Sequence, residues 1–274
     1  MTRTESRAAI FRSEDERYIA DDCEPLRRSG VSQEVTLGAR THGSYPGTPL
    51  PDGLLPEVRT VGYWDAVRDQ RWGLDWHRNE GVEITYLARG SIGFSVGDYE
   101  TELKPGDLTI TRPWQPHRVG APDVTASKLY WLILDVGIRR PNQFWKWPGW
   151  LLWSNDLRDQ LTQNLSQNEQ PVWHASPEIA MYFEQIGNYI QSSGTNVEVG
   201  RLKLYINGLL ISLAELLVEN QPVLDPRLSS SERTVAVFLS DLQSRCHEEW
   251  TLENMALACG LRRTRFIHYC KQIT

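Results

Sequence analysis

The chain has 274 residues, 40% of them hydrophobic and 23% charged, with a formal net charge of −6. That length carries one large domain or two smaller ones, and the composition excludes a disordered chain or one built of apolar membrane spans. The acidic balance excludes a protein that is basic all over, but the charge is unevenly placed. From Arg227 onward seven Lys/Arg stand against five Asp/Glu, and between Gly260 and Thr274 there are four cations and no acid.

The start, MTRTESRAAIFRSEDERYIADD, lacks the apolar core of a secretory signal, so a cytoplasmic location is expected. Cys23, Cys246, Cys259 and Cys270 stand at irregular spacings with no CxxC pair, which fits buried reduced thiols better than a structural zinc site. Residues 1–57 are weakly patterned and read as an N-terminal arm with loops, ending in the Pro- and Gly-rich stretch YPGTPLPDGLLPEV. Residues 58–173 break into short runs, among them GVEITYLARG, SIGFSVGD, YETELKPGD, LTITRPWQPH and SKLYWLILD. Strands of that length between Gly, Asp and Pro predict an antiparallel sandwich or barrel. The four tryptophans of FWKWPGWLLW read as a cover closing this barrel, with a ligand or partner platform as the alternative.

Over residues 174–220 the period becomes helical. Ser176-Pro177 is a helix start, followed by Ile179, Tyr182, Phe183, Ile186 and Ile190 on one face. A Ser-Ser-Gly break leads to a second helix from about Val199, with Leu202, Ile206, Leu209, Leu213, Leu216 and Leu217 as its stripe. Such a connector either covers the barrel or supplies a dimer seam, and periodicity does not separate the two. Residues 221–232 are polar, with two prolines, and read as a linker.

Residues 233–274 start with a helix marked by Val235, Phe238, Leu239 and Leu242. Thr251 is an N-cap, and Leu252, Met255, Ala256 and Cys259 fall on one face of a short helix. Gly260 supplies a tight turn, after which Leu261, Phe266, Cys270 and Ile273 are expected to bury the inner side of the next helix. Arg262, Arg263, Arg265 and His268 are left on its outer side or at its N-terminal end. Two readings stay open on spacing: a DNA-reading unit, or a helical hairpin with a solvated cationic face.

The stretch EEWTLENMALACGLRRTRFIHYCKQIT resembles the first helix-turn-helix of the AraC-type (AraC/XylS) transcription regulators. Trp250, Thr251, Leu252, Glu253, Ala256, Gly260, Leu261, Thr264, Arg265, Phe266 and Lys271 match. Arg262 stands where the family usually has a serine N-cap, and Cys270 where it usually has phenylalanine. The resemblance implies DNA contacts from Arg262, Arg263, Thr264, Arg265, His268 and Lys271. It also implies a second helix-turn-helix that this sequence does not reach, so the expectation is a truncated reader that binds DNA weakly.

WHRNEGVEITYLARG likewise resembles the first cupin motif through His77, Glu83 and Gly90, with Asn79 where a second histidine usually stands. KPGDLTITRPWQPH approximates the second motif through Gly106, Pro113 and His117. Such a barrel is the sensor domain expected ahead of an AraC-type ending. His77, Glu83 and His117 could give a two-His, one-carboxylate face, but the resemblance implies a barrel without metal, and structural use of both histidines is the preferred reading. Trp76, His77, Glu83, Tyr86, Arg112, Trp114, His117 and Trp131 are the expected pocket residues. Tryptophan beside Arg and carboxylate suits a sugar effector.

The expected whole is an α+β chain of two domains. It has an N-terminal cupin-like antiparallel β-barrel or jelly roll with a helical connector, then a C-terminal all-α helix-turn-helix that is incomplete. The expected function is a ligand-responsive, homodimeric DNA-binding regulator, neither an enzyme nor membrane-bound and without cofactor or catalytic residues. The alternatives are a metal-dependent cupin enzyme with a helical tail, or a truncated partner that dimerises with an intact regulator.

Overall fold

The computed structural model describes residues 9–12, 17–20, 23–192, 196–242 and 245–274. The chain begins with β1 (Ala9–Arg12), β2 (Arg17–Ala20), α1 (Glu24–Val31), β3 (Thr36–Thr41), β4 (Thr48–Pro49), β5 (Val58–Asp65) and β6 (Leu74–His77). It continues through β7 (Val82–Arg89), β8 (Ile92–Val96), β9 (Tyr99–Leu103), β10 (Asp107–Thr111), β11 (His117–Val119) and β12 (Lys128–Leu134). Then come α2 (Asn155–Gln167), β13 (Val172–His174), α3 (Pro177–Gln191), α4 (Asn196–Asn220), α5 (Ser231–Leu242), α6 (Leu252–Ala258) and α7 (Arg263–Ile273).

Seven strands form a sheet in the order β13-β10-β7-β12-β5-β3-β4, and four form a second in the order β6-β11-β8-β9. The larger sheet is covered on both faces. Along β7, Val82, Ile84 and Tyr86 join the core shared with Ile179, Phe183 and Ile186 of α3 and Leu202, Ile206 and Leu209 of α4. Leu87 joins the other core, which faces Ile92, Phe94 and Leu103 of the smaller sheet. β12 divides in the same way, with Tyr130, Leu132 and Leu134 toward the helices and Leu129, Trp131 and Ile133 toward the second sheet. Burial on both sides is why LYWLIL reads as a continuous apolar run instead of an alternation.

Several elements depart from the sequence reading: the region before Val58, expected as an arm with loops, holds β1, β2, α1, β3 and β4. The sheet begins before Val58, because β3 pairs antiparallel with β5 from Thr36 opposite Asp65 to Thr41 opposite Thr60. TLGART has too little alternation to announce a strand. Helix α2 is also unannounced: NDLRDQLTQNLSQ buries little beyond Leu161 and Leu165, and the Ser154 side chain caps it by accepting from Leu157 N at 3.2 Å.

The tryptophan-rich segment covers the helix-side core as expected. Trp147 Nε1 donates to Thr162 Oγ1 at 2.7 Å, and Trp150 Nε1 donates to Glu57 Oε2 at 3.0 Å. Ser176 caps α3 by accepting from Ile179 N at 3.3 Å. In the connector, Leu202, Ile206, Leu209, Leu213, Leu216 and Leu217 are all buried within the chain, where they cover the sheet. A third, smaller core of Val235, Ala256, Cys259 and Phe266 holds α5, α6 and α7 together. Among the described residues, no helix is long and apolar enough to cross a membrane.

Candidate functional site

Antiparallel pairing of β6 with β11 sets His77 opposite His117, with ring centroids 4.3 Å apart. Glu83 of β7 faces the same point. The ligand atoms of His77, Glu83 and His117 lie within 4.8 Å of one another, and all three side chains are nearly buried. Each histidine directs Nδ1 at a carbonyl oxygen two residues back, His77 at Asp75 (2.7 Å) and His117 at Gln115 (2.9 Å). A carbonyl only accepts, so each Nδ1 carries a proton and each Nε2 is turned toward the site. His117 Nε2 lies 2.9 Å from Glu83 Oε2.

Burial, and then the charge of His117, lower His77 to about 4, so at neutral pH its ring is uncharged. Burial works to raise the Glu83 carboxyl. The His117 charge, the His117 hydrogen bond, His77 and Asn79 outweigh it, and Glu83 is held below its ordinary value. A neutral imidazole and an ionised carboxylate are the states a metal ligand set requires.

The donor set therefore fits a divalent transition metal: two imidazoles and one carboxylate, with each imidazole oriented from behind by a backbone carbonyl. Asn79 is not a third ligand of the histidine kind. Its Nδ2 donates to Glu83 Oε2 at 2.6 Å, and its Oδ1 accepts from Tyr45 Oη at 3.2 Å, so it orients Glu83. The single Tyr45 hydroxyl proton is shared between Asn79 Oδ1 and the closer Glu80 Oε2 at 2.5 Å, and Arg59 Nε holds Glu80 Oε1 at 2.5 Å. Burial first, and then the Glu80 charge, push the Tyr45 hydroxyl well above its usual value, so it stays a donor.

Beside the triad lies a cavity of about 30 Å³, lined by His77, Asn79, Glu83, Thr85, Trp64 and Trp131 among others. Of the eight expected pocket residues, the fold brings together His77, Glu83, His117 and Trp131. Tyr86 is turned away by strand parity and stacks on Phe183 with centroids 5.8 Å apart. Trp76 lies on the outer face, where Arg118 sits 5.2 Å over its ring. Arg112 leaves toward α2, donating to Asn168 O at 2.8 Å and to Glu169. Trp114 packs outside the cavity and donates its Nε1 to Ile138 O at 2.7 Å. Thr85, Trp64, Thr60 and Tyr45 were missed. Thr85 was within reach of the pattern, being two residues from Glu83 on the same face; Tyr45 carried no signal.

The C-terminal unit forms as its residues dictate. Thr251 caps α6 by accepting from Asn254 N at 3.1 Å, and Gly260 turns the chain at φ 63°, with Leu261 N bonded to Ala256 O at 2.9 Å. Arg262 occupies the N-cap of α7 without a side-chain cap bond, the consequence of lacking a serine there. Phe266 is the buried anchor, and Arg262, Arg263, Thr264, Arg265, His268 and Lys271 are all exposed. Ile273 was expected inside, but it lies in the last turn, 38% exposed, and Tyr269 joins the core instead. Arg263 meets Glu253 at 2.8 Å, both well exposed, a pair worth little in stability.

The family model described as Cupin domain matches residues 69–133, the span that delivers His77, Glu83 and His117. No curated protein matches the chain. A cupin superfamily protein from Desulfitobacterium hafniense aligns at 12% identity over 27% of this chain and 65% of its own, just under two thirds of that protein's length, with a TM-score of 0.25. ToxT from Vibrio cholerae, solved with an unsaturated fatty acid bound, aligns at 10% identity over 78% of this chain and 73% of its own, with a TM-score of 0.41. The AraC-like transcriptional activator CuxR aligns at 13% identity over 90% of this chain and 83% of its own, with a TM-score of 0.42. The fold is α+β: a cupin-like double sheet with a helical C-terminal region.

Proposed function

We propose that this chain is a DNA-binding transcription regulator of AraC type, acting in the cytoplasm, in which the barrel senses an effector and α7 contacts DNA. The observation that carries the reading is the α6–Gly260–α7 unit. Its short apolar core leaves six polar or cationic side chains on one outward helix, in a stretch with no acidic residue. That is the arrangement a helix needs to enter a major groove while Arg and Lys meet phosphates.

The size of the cavity weighs on the effector. Small-molecule pockets enclose roughly 300–1,000 Å³, whereas this one has about 30 Å³. A sugar, the sequence-based expectation, would have to displace Trp64 or Trp131; a single divalent ion with its waters fits. We therefore read the effector as a transition-metal ion held by His77, Glu83 and His117, which reverses the preference for purely structural histidines. Bound there, it would supply positive charge in place of the proton between His117 and Glu83. The same triad is what favours the second reading, a metal-dependent enzyme, and our reading assigns no catalytic residue. Pairing of two copies would use residues outside the buried α4 stripe, such as Leu204 and Val218, which are exposed.

The test is fluorescence anisotropy of a labelled duplex with the full chain at low salt, with and without Zn²⁺. Binding that weakens in Arg262→Ala/Arg265→Ala supports the reading. Absence of DNA binding under both conditions, together with metal-dependent turnover of a small substrate, would move the enzyme ahead.

A further inference from the structure

The barrel and the helix-turn-helix unit touch through a small set of polar contacts that start at the site. Arg140 Nη1 reaches Leu257 O and Ala258 O, both at 3.3 Å, the last carbonyls of α6. Its guanidinium lies across the turn, so that a Cβ added at Gly260 would meet Arg140 Nε at 3.1 Å. A cation at a helix C-terminus answers carbonyls that have no partner within the helix. Two residues on, Asn142 N donates to Thr234 Oγ1 at 3.2 Å, and Asn142 Nδ2 reaches Ser231 Oγ and Cys259 O at 3.4 Å. From the site itself, Arg78, next to His77, meets Asp241 of α5 at 3.2 Å.

The loop bearing Arg140 and Asn142 is cross-braced by its own contacts. Arg139 and Asp135 form a buried pair at 2.8 Å, and Gln143 Oε1 accepts from Arg139 N at 2.5 Å and Arg140 N at 2.9 Å. Trp114 joins this loop to the site. Its backbone N donates to Asn79 O at 2.7 Å, its indole Nε1 donates to Ile138 O at 2.7 Å, and it stands three residues before His117. It does so at φ 64°, a left-handed conformation that a bulky residue holds only when its surroundings impose it.

We propose that the loop from Asp135 to Gln143 latches the helix-turn-helix unit to the barrel, and that its hold depends through Trp114 on what occupies His77, Glu83 and His117. Drawing those three side chains onto an ion moves the Asn79 and His117 segments. Trp114 is tied to both, and it sets where Ile138, Arg139 and Arg140 stand. The latch grips main-chain carbonyls and α5, not the outward residues of α7, so it fixes the angle of that helix and leaves its cations uncovered. The proposal rests on the DNA-reading interpretation for its consequence, but not for its mechanics.

Amide hydrogen exchange of the full chain tests it, with Zn²⁺ as the probe and calorimetry to confirm binding. In Arg140→Ala/Asn142→Ala, exchange across α6 and its turn should rise about tenfold while β7 and β12 keep their protection. Zn²⁺ should shift exchange at α6 severalfold in the natural chain and leave it unmoved in Trp114→Phe. Unchanged α6 exchange in the double variant overturns the latch. Zn²⁺ that fails to bind, or binds without altering α6, overturns the coupling. Should Trp114→Phe fail to fold, the double variant with and without Zn²⁺ decides, since coupling must vanish there too. No DNA is present, so failure of the DNA reading leaves these results standing.

Discussion

The barrel interior and the C-terminal helices handle charge in opposite ways. In the barrel, a few ionisable groups are buried and interlocked: Glu83 with His117, Asn79 and His77, and Glu80 with Arg59 and Tyr45. Removing one member leaves the others buried with an unmatched charge or hydrogen bond. On α7 the cations stand in solvent, so each can be exchanged with little effect on the fold. The difference shows that one region commits its charged residues to an interlocked buried cluster and the other to an open surface.

The largest expected effect breaks the small region as a whole. Phe266→Ala removes the anchor of a core with few fully buried residues, at a cost of about 3–5 kcal/mol. Far-UV circular dichroism should show loss of helix, while the tryptophan fluorescence transition of the barrel is kept. Next is a change that leaves the barrel folded but misaims its carboxylate. Asn79→Ala should weaken Zn²⁺ binding by about 10–100-fold in calorimetry, since it deletes the group that orients Glu83. Unaltered affinity would mean Asn79 only fills space.

How much of this was legible beforehand follows the same division. The helix-turn-helix could be read almost residue by residue, because a period of 3.6 assigns faces over a whole turn and Thr251 and Gly260 mark its ends. From Val58 onward the strands lie where short runs between turn residues predicted them, yet Tyr86 and Trp76 were assigned to the pocket and point elsewhere. On a strand buried on both faces nothing in the pattern says which parity looks inward, and an error of one residue inverts the assignment. Tyr45 and Thr60 reach the site from segments distant in sequence, which no local motif reports. The Arg140 and Asn142 contacts were invisible for the same reason.

Smaller effects sharpen the contrast. Arg265→Ala should change stability by less than about 0.5 kcal/mol, yet weaken DNA binding across sequences and reduce the salt slope by about 1 if it contacts a phosphate. An Arg265→Ala chain with unaltered affinity would take that residue out of the interface. The smallest effect separates thiols. Burial, and then Cys270, push the Cys259 thiol up to about 12, and it is fully enclosed, whereas Cys246 is exposed. Iodoacetamide at neutral pH, followed by mass spectrometry, should label Cys246 first and Cys259 last. Early labelling of Cys259 would show that the small core opens readily.

The central claim is that the outward face of α7 reads DNA, and the salt dependence of duplex binding tests it most directly. The account expects log K to fall linearly with log salt, at about −0.9 per phosphate neutralised, with the slope shrinking in Arg262→Ala/Arg263→Ala/Arg265→Ala. Binding that ignores salt, or a triple variant that binds as the natural chain does, would contradict it.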